Sequence, residues 1–400
     1  MEILHLAPHP FYQDRGTPID DLLVLQVLNE RQETHIDLLV YNEGKDIELN
    51  NVNLHRIPDM RFLRNIRPGF SLKKLFCDVL FFFKACRLVK DKNYDLIHAG
   101  EEAVFMAMFF KLLYKIPYVY DLDSSIAQQL VEKKPYLKCF SRIFNWFEGQ
   151  AIRHSLANLP VCNALAELCK KNGSKKTVTI HDISQLKNPN APKTGKLQEK
   201  FGLNGLILLY IGNLEPYQGI DLLLESFHVA CKETDKVTLI VIGGIPEDIC
   251  TYKRKASQLG IEEKVFFLGP KPLSMLDEYL AEGDILVVPR IRGINTPMKI
   301  FPYLHSGKAV LVTDLPTHSQ ILTKNEAYLA PANPIEFAEG IIALSKNDTL
   351  RAKLGENGYK FVEKNHTYSV HQRRLHGAYD WVEKELKNGI SNHNFERILV

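Results

Sequence analysis

Short apolar runs along the chain alternate with longer segments whose apolar residues recur every three to four positions. The short runs predict buried strands and the longer segments predict helices, and their alternation is typical of parallel α/β units. In the first half, helices are predicted at 20–31, 103–114 and 140–155. The predicted strands there are 3–7, 35–41, 54–57, 96–99, 118–120, 158–161 and 177–181.

The second half repeats the pattern after a polar, turn-rich stretch at 187–195, which we interpret as a linker. Strands are predicted at 206–211, 237–242, 265–268, 285–288, 309–313 and 327–329. Helices are predicted to begin near Gly219, Glu247, Met275, Thr296, Glu336 and Thr349. The fold class is therefore α/β, with two Rossmann-like doubly wound domains facing a central cleft at the carboxyl ends of their strands.

The predicted boundaries place the first domain at 1–190 and the second at 191–368. An amphipathic helix follows at 369–388 and is expected to pack back toward the first domain. Residues 389–400 are expected to form a tail.

Composition changes this picture little. The chain has 400 residues, 45% of them hydrophobic and 24% charged, which is enough to build two ordinary cores. A net charge of +3 gives no reason to expect a nucleic-acid partner. Seven scattered cysteines form no C-x-x-C pair, and the first residues predict a strand rather than a signal peptide, so we expect a cytoplasmic location. No apolar run is long enough to span a membrane.

Glycines follow two strands of the second half. Gly212 ends the run 206–211 and begins the loop 212–219, and Gly243 and Gly244 end the run 237–242. Glycine at a strand end lets a phosphate approach the backbone, and a helix start then offers free amides to the anion. Such turns also occur as plain connections, so they carry weight only in combination.

The combination resembles a known family. Segments 212–227, 240–244, 265–269, 283–289, 306–313 and 327–339 follow in the order found in family 4 retaining glycosyltransferases of GT-B architecture, also called group 1. The first half resembles the acceptor domain of that family more loosely, at 3–8, 15–18, 95–99 and 116–123. The resemblance implies a nucleotide-sugar donor in the second domain and a glycan or lipid-linked acceptor, as in polysaccharide biosynthesis. It also implies retaining, metal-independent transfer without a cofactor.

The chain departs from the family at charged positions. The loop after the first strand of the donor domain usually supplies an Arg and a Lys to the diphosphate, and here those places hold Asn213 and Gln218. The two family glutamates, which contact the transferred sugar and the ribose, fall on Ile294 and Pro302. That part of the family's chemistry therefore does not carry over, and nucleotide selectivity is left open.

Cations stand nearby instead. Arg290, Arg292 and Lys299 flank Asn295 and Thr296, which we predict to cap a helix, and together with the glycine of the same segment they form a candidate diphosphate cradle. Gly244, at the end of the second strand, is a separate donor-binding candidate. Cations there would stabilise the departing diphosphate. The sequence resembles a branch of the family that carries Asn-Thr-Pro-x-Lys at this place. The alternative is a surface loop with solvated cations.

In the first half, Gly16 and Thr17 follow the first strand in a loop that begins at Arg15 and that in the family approaches donor and acceptor. The alternative is a strand-to-helix turn capped by Thr17. Asp123 falls where many members carry a His near the reacting carbon, and we take it as a catalytic candidate; it could instead cap a helix. A metal site at Asp121 and Asp123 is the less favoured interpretation.

His98 is the second catalytic candidate, with a core histidine as the alternative. It closes the predicted strand 96–99. The following residues, Glu101 and Glu102, could contact acceptor hydroxyls or lie in a solvated helix start.

Residues 61–92 hold nine Lys and Arg against two Asp, interleaved with Phe and Leu. Such a segment can lie on an anionic bilayer surface, which would make the protein peripheral at the inner face of the membrane. The alternative is a core helix with a solvated basic face. Two other classes of function stay open: a non-catalytic GT-B partner protein, because the glutamates are missing, and a sugar-nucleotide epimerase of the same architecture.

Overall fold

The computed structural model describes residues 1–13, 16–64, 66, 71–133 and 135–398, without the side chains at 132, 133, 135 and 389–398. Arg15 of the predicted donor loop, Arg67 and Phe70 of segment 61–92, and the last two residues of the predicted tail lie outside the described residues. The chain divides into two compact units, 1–181 with 371–400 and 182–370.

Unit 1 contains six strands and seven helices among its described residues. Its strands are β1 (Glu2–Leu6), β2 (His35–Val40), β3 (Val52–Arg56), β4 (Leu96–Gly100), β5 (Tyr118–Leu122) and β6 (Ala157–Pro160). The helices are α1 (Gly16–Asn29), α2 (Leu72–Asp91), α3 (Ala103–Tyr114), α4 (Ile126–Lys133), α5 (Ser141–His154) and α6 (Asn163–Lys171), with α15 (Tyr368–Ile398) returning from the far end of the chain. Short 3₁₀ turns lie at Arg61–Leu63 and Pro135–Phe140.

Unit 2 repeats the plan. Its strands are β7 (Leu206–Ile211), β8 (Val237–Ile242), β9 (Val265–Gly269), β10 (Ile285–Val288), β11 (Ala309–Thr313) and β12 (Tyr328–Ala330). Its helices are α7 (Lys196–Phe201), α8 (Ile220–Ala230), α9 (Pro246–Gln258), α10 (Leu276–Glu282), α11 (Ile300–His305), α12 (Pro316–Ser319), α13 (Pro334–Lys346) and α14 (Asp348–Asn365). Three 3₁₀ turns lie at Pro216–Gln218, Glu262–Lys264 and Leu273–Met275.

Each unit holds one parallel six-stranded sheet, with strand orders β3-β2-β1-β4-β5-β6 and β12-β11-β10-β7-β8-β9. The strands are short and almost continuously apolar because helices cover both faces of a parallel sheet. In each sheet the order of the strands reverses beside the first strand, between β1 and β4 in unit 1 and between β7 and β10 in unit 2. The carboxyl ends of those strands are where a doubly wound sheet binds ligands. The predicted α/β class with two doubly wound domains is confirmed.

Four local predictions need correction. Segment 177–181 forms only a single bridge, between Asn158 and Thr177, rather than a seventh strand. The first helix begins at Gly16, not near Asp20, and the helix predicted near Thr296 begins at Ile300. The last helix passes its predicted end and continues to Ile398, through most of the predicted tail. No helix in the described part of the chain has both the length and the apolarity to cross a bilayer.

Candidate functional site

Two glycine turns touch at the carboxyl ends of β7 and β8. Gly212 donates its amide to Ile242 O at 2.9 Å, and Gly243 donates to Gly269 O at 2.8 Å. Gly243 has φ +112°, and a Cβ there would lie 2.1 Å from the carbonyl oxygen of Gly212. Only glycine fits at 243, so the turn keeps its backbone bare at the edge of the sheet where a ligand is expected.

This close approach yields a stability prediction. Gly243→Ala should lower the free energy of unfolding by about 2–4 kcal/mol, because the methyl group meets a backbone oxygen and the residue must keep a positive φ. Gly260 is the matched control, since it has φ +67° in the same unit with no atom within 4 Å of the added Cβ. Gly260→Ala should cost only about 1 kcal/mol. Equal losses in chemical denaturation would contradict the argument.

The amine of Lys299 lies against the Gly212 turn. Lys299 Nζ donates to Tyr210 Oη at 3.0 Å and to Gln218 Oε1 at 3.3 Å, and it lies 4.2 Å from the centre of the Tyr210 ring. A Cβ on Gly212 would come within 2.2 Å of the same amine. The absence of a side chain at 212 therefore makes room for the lysine as well as for a ligand.

Lys299 is a cation in a costly position. Burial and, to a smaller extent, the positive charge of Arg290 together lower the pKa of its amine to about 7. No carboxylate of the described residues shifts the pKa of this amine. A partly buried amine beside a second cation is stabilised by an anion, so this position favours a phosphate group.

Arg290 follows β10 and organises its own loop. It is 8% exposed, and it donates from Nε to Arg292 O at 2.7 Å and from Nη2 to Asn295 Oδ1 at 2.9 Å. Its guanidinium lies 5.2 Å from the centre of the Tyr217 ring. The side chain of Arg292 is exposed. The loop therefore holds Arg290 in a fixed place, whereas Arg292 contributes a carbonyl and leaves its charge in solvent.

The predicted helix cap at Asn295 and Thr296 is wrong. Helix α11 begins four residues after Thr296, with Lys299 at its cap position. The side chain of Asn295 accepts from Arg290 instead, and its carbonyl accepts from Thr317 Oγ1 at 2.7 Å. Thr296 is buried, and its hydroxyl has no hydrogen-bond partner in the described part of the chain. The segment is thus held by loop contacts and not by the helix.

The loop after Gly212 supplies structure more than charge. Asn213 is exposed, and its carbonyl accepts from Tyr210 Oη at 2.6 Å. Gln218 is buried against Lys299. Ile291 donates its amide to Tyr217 O at 3.0 Å, which joins this loop to the one after β10. Gly244 has φ +82°, and a Cβ there would meet Leu214 at 2.5 Å, so its bare backbone serves packing.

Sequence reasoning missed Tyr210 and His318. Tyr210 carries the one hydroxyl in the run 206–211, a signal that could have marked it. His318 is fully buried, with Nδ1 2.9 Å from Thr313 O, and no described residue partners its Nε2. Burial, together with the charges of Arg290 and Lys299, lowers the pKa of His318 to about 3. His318 is therefore a neutral neighbour of the two cations.

In unit 1 the structure buries His98 completely. Tyr379 of α15 donates its hydroxyl to His98 Nδ1 at 2.6 Å, and His98 Nε2 donates to Asp121 Oδ2 at 3.1 Å. The ring also stacks on His5 with centroids 4.3 Å apart. Both ring nitrogens are occupied and no part of the ring reaches solvent, so the geometry is that of a core histidine that ties α15 to the sheet.

Three carboxylates gather at the carboxyl end of β5 and in α1. Oxygen atoms of Asp20, Asp121 and Asp123 all lie within 4.8 Å of one another, with Asp123 the most exposed of the three. Carboxylate oxygens are the ligands that hard divalent cations prefer, so the group could hold such an ion.

Helix α4 begins at Ile126, and Ser125 Oγ accepts from Gln128 N at 3.2 Å. The cap is therefore Ser125, and not Asp123.

Two histidines that share one carboxylate lie next to the group of Asp20, Asp121 and Asp123, and this arrangement was not predicted. His5 and His9 both bind the carboxylate of Asp21, His5 through Nε2 at 2.8 Å. Burial alone would lower the pKa of His9, but the carboxylate of Asp21 more than offsets this and the pKa is raised. The pKa of His5 is lowered by burial and by His98.

Gly16 is the first residue of α1, and a Cβ there would meet nothing within 4 Å. Thr17 lies inside the first turn, with Oγ1 3.5 Å from Glu101 Oε1, so it does not cap the helix. Glu102 binds Lys74, and burial raises the pKa of Glu102 to about 7. Glu101 and Glu102 therefore lie in a partly buried charged group of unit 1.

The family model "Glycosyl transferases group 1" matches residues 195–361, which covers β7 to β12 and both cations. A D-inositol 3-phosphate glycosyltransferase of Corynebacterium glutamicum is 22% identical over 52% of the chain and 51% of its own length. An uncharacterized glycosyltransferase of Methanocaldococcus jannaschii is 23% identical over 86% of the chain and 89% of its own length.

Solved structures share the fold of both units. Sucrose-phosphate synthase from Thermosynechococcus elongatus has a TM-score of 0.76 with 16% identity, covering 96% of the chain and 99% of its own. Anabaena HepE in complex with UDP has a TM-score of 0.73 with 14% identity, over 95% of the chain and all of its own. At such identities the likeness concerns the fold, which is GT-B. Residues 195–361 match the glycosyl transferases group 1 family, and this part of the chain holds Gly212, Arg290 and Lys299.

Proposed function

We propose that the protein moves a sugar from a nucleotide-sugar donor to a glycan or lipid-linked acceptor, with retention at the reacting carbon and without a metal ion. The single observation behind the proposal is the partly buried Lys299 amine beside Arg290 at the Gly212 turn. No described carboxylate shifts the pKa of the Lys299 amine, and an amine of this kind beside a second cation suits the diphosphate of a nucleotide. Related folds support a nucleotide donor, because HepE was crystallised with UDP-glucose and another neighbour with UDP-2-fluoro glucose.

In the proposed donor site, Lys299 and Arg290 hold the diphosphate, and Gly212 and Gly243 let its oxygens approach the backbone. As the bond to the sugar breaks, negative charge grows on the leaving diphosphate, and the two cations stabilise that charge. Arg292 reaches the ligand from solvent. The chain thereby replaces the Arg and Lys that family members carry where Asn213 and Gln218 stand.

The remaining site roles are proposals of the same kind. Asp123 would orient the transferred sugar or support positive charge at its reacting carbon, and Gly16 and Thr17 would approach the donor from α1. The chain would act in the cytoplasm at the inner face of the membrane, with segment 61–92 on the lipid surface and polysaccharide or glycolipid as product. We also propose that the chain belongs to family 4, in the branch that carries Asn-Thr-Pro-x-Lys.

Thermal unfolding in the presence of nucleotides tests the donor site. UDP, GDP or one of their sugars at high concentration should raise the unfolding temperature, because a ligand that binds only the folded state stabilises it. Stabilisation by none of them would contradict the transferase and would favour a non-catalytic partner protein. Conversion of a sugar nucleotide without any acceptor would instead indicate an epimerase.

Metal independence gives a separate prediction. A chelator such as EDTA should leave nucleotide binding and transfer unchanged, because Lys299 and Arg290 supply the positive charge that a metal would otherwise supply. The measurement is transfer rate with EDTA and with added Mg²⁺ or Mn²⁺. Loss of transfer with EDTA that is restored by Mn²⁺ would contradict the proposal, and Asp121→Asn would then show whether the three carboxylates hold the ion.

A further inference from the structure

Large apolar side chains are exposed mainly in one part of unit 1. Of the eighteen such residues that the described part of the chain exposes, fifteen lie between Phe62 and Phe147. The other three are Ile245, Ile335 and Tyr368. Scattered exposed apolar residues are normal, but a concentration of this kind marks an interaction surface.

Helix α2 shows how unusual this surface is. Its inward face buries Cys77, Phe81, Ala85 and Val89 at a spacing of four. Its other side exposes further apolar residues, at the spacing of a second stripe: Leu72, Leu75, Phe76, Val79 and Phe83. A helix of a soluble domain normally turns a polar face to solvent. The second apolar stripe therefore needs a partner that the described residues of unit 1 do not supply.

Helices α3 and α5 repeat the feature. Phe109, Leu112 and Leu113 are exposed on α3, and Ile143, Trp146 and Phe147 on α5, each set at positions i, i+3 and i+4. Such residues share one helix face. Helix α3 lies between the other two, since Phe109 contacts Phe82 of α2 at 5.5 Å between ring centres and α3 packs on α5. We call the exposed stripes of α2, α3 and α5 the three-helix surface.

The charges around the three-helix surface are mostly positive. The exposed cations of these helices and of the turn before α5 include Lys73, Arg87, Lys90, Lys138 and Arg142. On the same helices the exposed acid is Asp91, which pairs with Arg87 at 3.5 Å, and Glu148 of α5 is buried. Two copies of such a surface would bring like charges together, whereas an anionic bilayer offers both apolar chains and negative headgroups.

We propose that the three-helix surface docks on an anionic lipid bilayer, with Trp146 and its apolar neighbours on α5 at the headgroup boundary. The contact thus extends beyond residues 61–92 to two helices that the sequence did not mark. The inference rests on the proposed transfer to a lipid-linked acceptor, which would lie in the same bilayer. Aromatic residues with an apolar body and a polar edge favour this boundary, and nearby cations add attraction to anionic headgroups.

Trp146 provides a direct test. It is 58% exposed, and the chain has one other tryptophan, Trp381, which is half-buried. Adding vesicles of phosphatidylcholine with phosphatidylglycerol should shift the emission to shorter wavelength and carry the protein into the vesicle pellet. Trp146→Phe should remove the shift. Pure phosphatidylcholine should bind more weakly. An unchanged emission, or equal binding to both vesicles, would overturn the proposal.

Variants separate docking from catalysis. Ile143→Ser with Phe147→Ser should abolish co-sedimentation, and Arg142→Ala should weaken it on the order of fivefold. Ile335→Ser, on an exposed position of unit 2, is the matched control and should sediment as the wild type does. The double variant should keep its thermal response to nucleotide, which shows that it folds. A dimer that shields Trp146 without vesicles would overturn the proposal in favour of a second copy. A wild type that binds vesicles but no nucleotide would count against the transferase alone.

Discussion

Lys299→Met will remove most of the stabilisation of the protein by nucleoside diphosphates. The variant lacks the amine that lies against the Gly212 turn, and losing one partner of a buried charge pair costs about 3 kcal/mol, roughly a hundredfold in Kd. With nucleotide at about 100 times the wild-type Kd, binding stabilises the wild type by about 2.7 kcal/mol. In the variant the same concentration should give about 0.4 kcal/mol, which thermal unfolding with and without UDP or GDP measures.

The matched control is Lys308→Met. Lys308 is also a partly buried lysine of unit 2 whose pKa is lowered by burial, but it precedes β11 at the amino end of the sheet. Its variant should keep the full nucleotide response. Without ligand, Lys299→Met should unfold at the same or a higher temperature than wild type, since it deletes a cation that burial disfavours. A retained nucleotide response in Lys299→Met would remove Lys299 from the donor site.

Nucleotide affinity will fall as the pH rises above about 7. Burial lowers the pKa of Lys299 to about 7, so the unliganded amine loses its proton above that pH, while the diphosphate binds the protonated form. Each binding event then takes up one proton. The Kd should increase about tenfold per pH unit between pH 7.5 and 9, which isothermal titration at several pH values measures.

The neighbours of Lys299 do not titrate in that window. Arg290 stays charged, Tyr210 has its pKa raised by burial, and the pKa of His318 is lowered to about 3. Gln218 has no charge to lose. Lys299→Arg keeps the cation at all these pH values, so its Kd should be nearly independent of pH. The same slope in Lys299→Arg as in the wild type would assign the pH dependence to another group.

The sequence predicted the sheets well, because a strand buried on both faces leaves an almost continuous apolar run. The run 206–211 and the glycine after it show the point, since the strand and its turn lie where they were expected. The prediction of a strand at 177–181 was wrong, although it rested on the same kind of apolar pattern as the correct ones. It has apolar residues but only one bridge to β6, so its pattern alone did not establish a strand.

The donor site was only partly predictable. Lys299, Gln218 and Gly212 meet in the structure, and each was named from the sequence. Spacing alone did not distinguish the buried Arg290 from the exposed Arg292, because alternate positions in an irregular loop have no fixed inward side. Tyr210 was missed because a tyrosine in a β-strand is ordinary, and its hydroxyl gains meaning only from the amine beside it.

His98 shows a different limit. Alternation along β4 allowed both a core position and a site position, and the deciding contact comes from Tyr379, 281 residues later in the chain. A partner so distant in sequence cannot be inferred from local pattern. The same holds for the group of Asp20, Asp121 and Asp123, because Asp20 lies on α1 and the other two lie about a hundred residues later, at the end of β5.

A crystal structure with a bound nucleoside diphosphate tests the central claim most directly. The measured quantity is the distance from Lys299 Nζ to the nearest diphosphate oxygen. The account predicts about 2.8 Å, with Arg290 within hydrogen-bond distance of the same diphosphate. A diphosphate bound elsewhere, with Lys299 Nζ still donating to Tyr210 and Gln218 as it does without ligand, would contradict it.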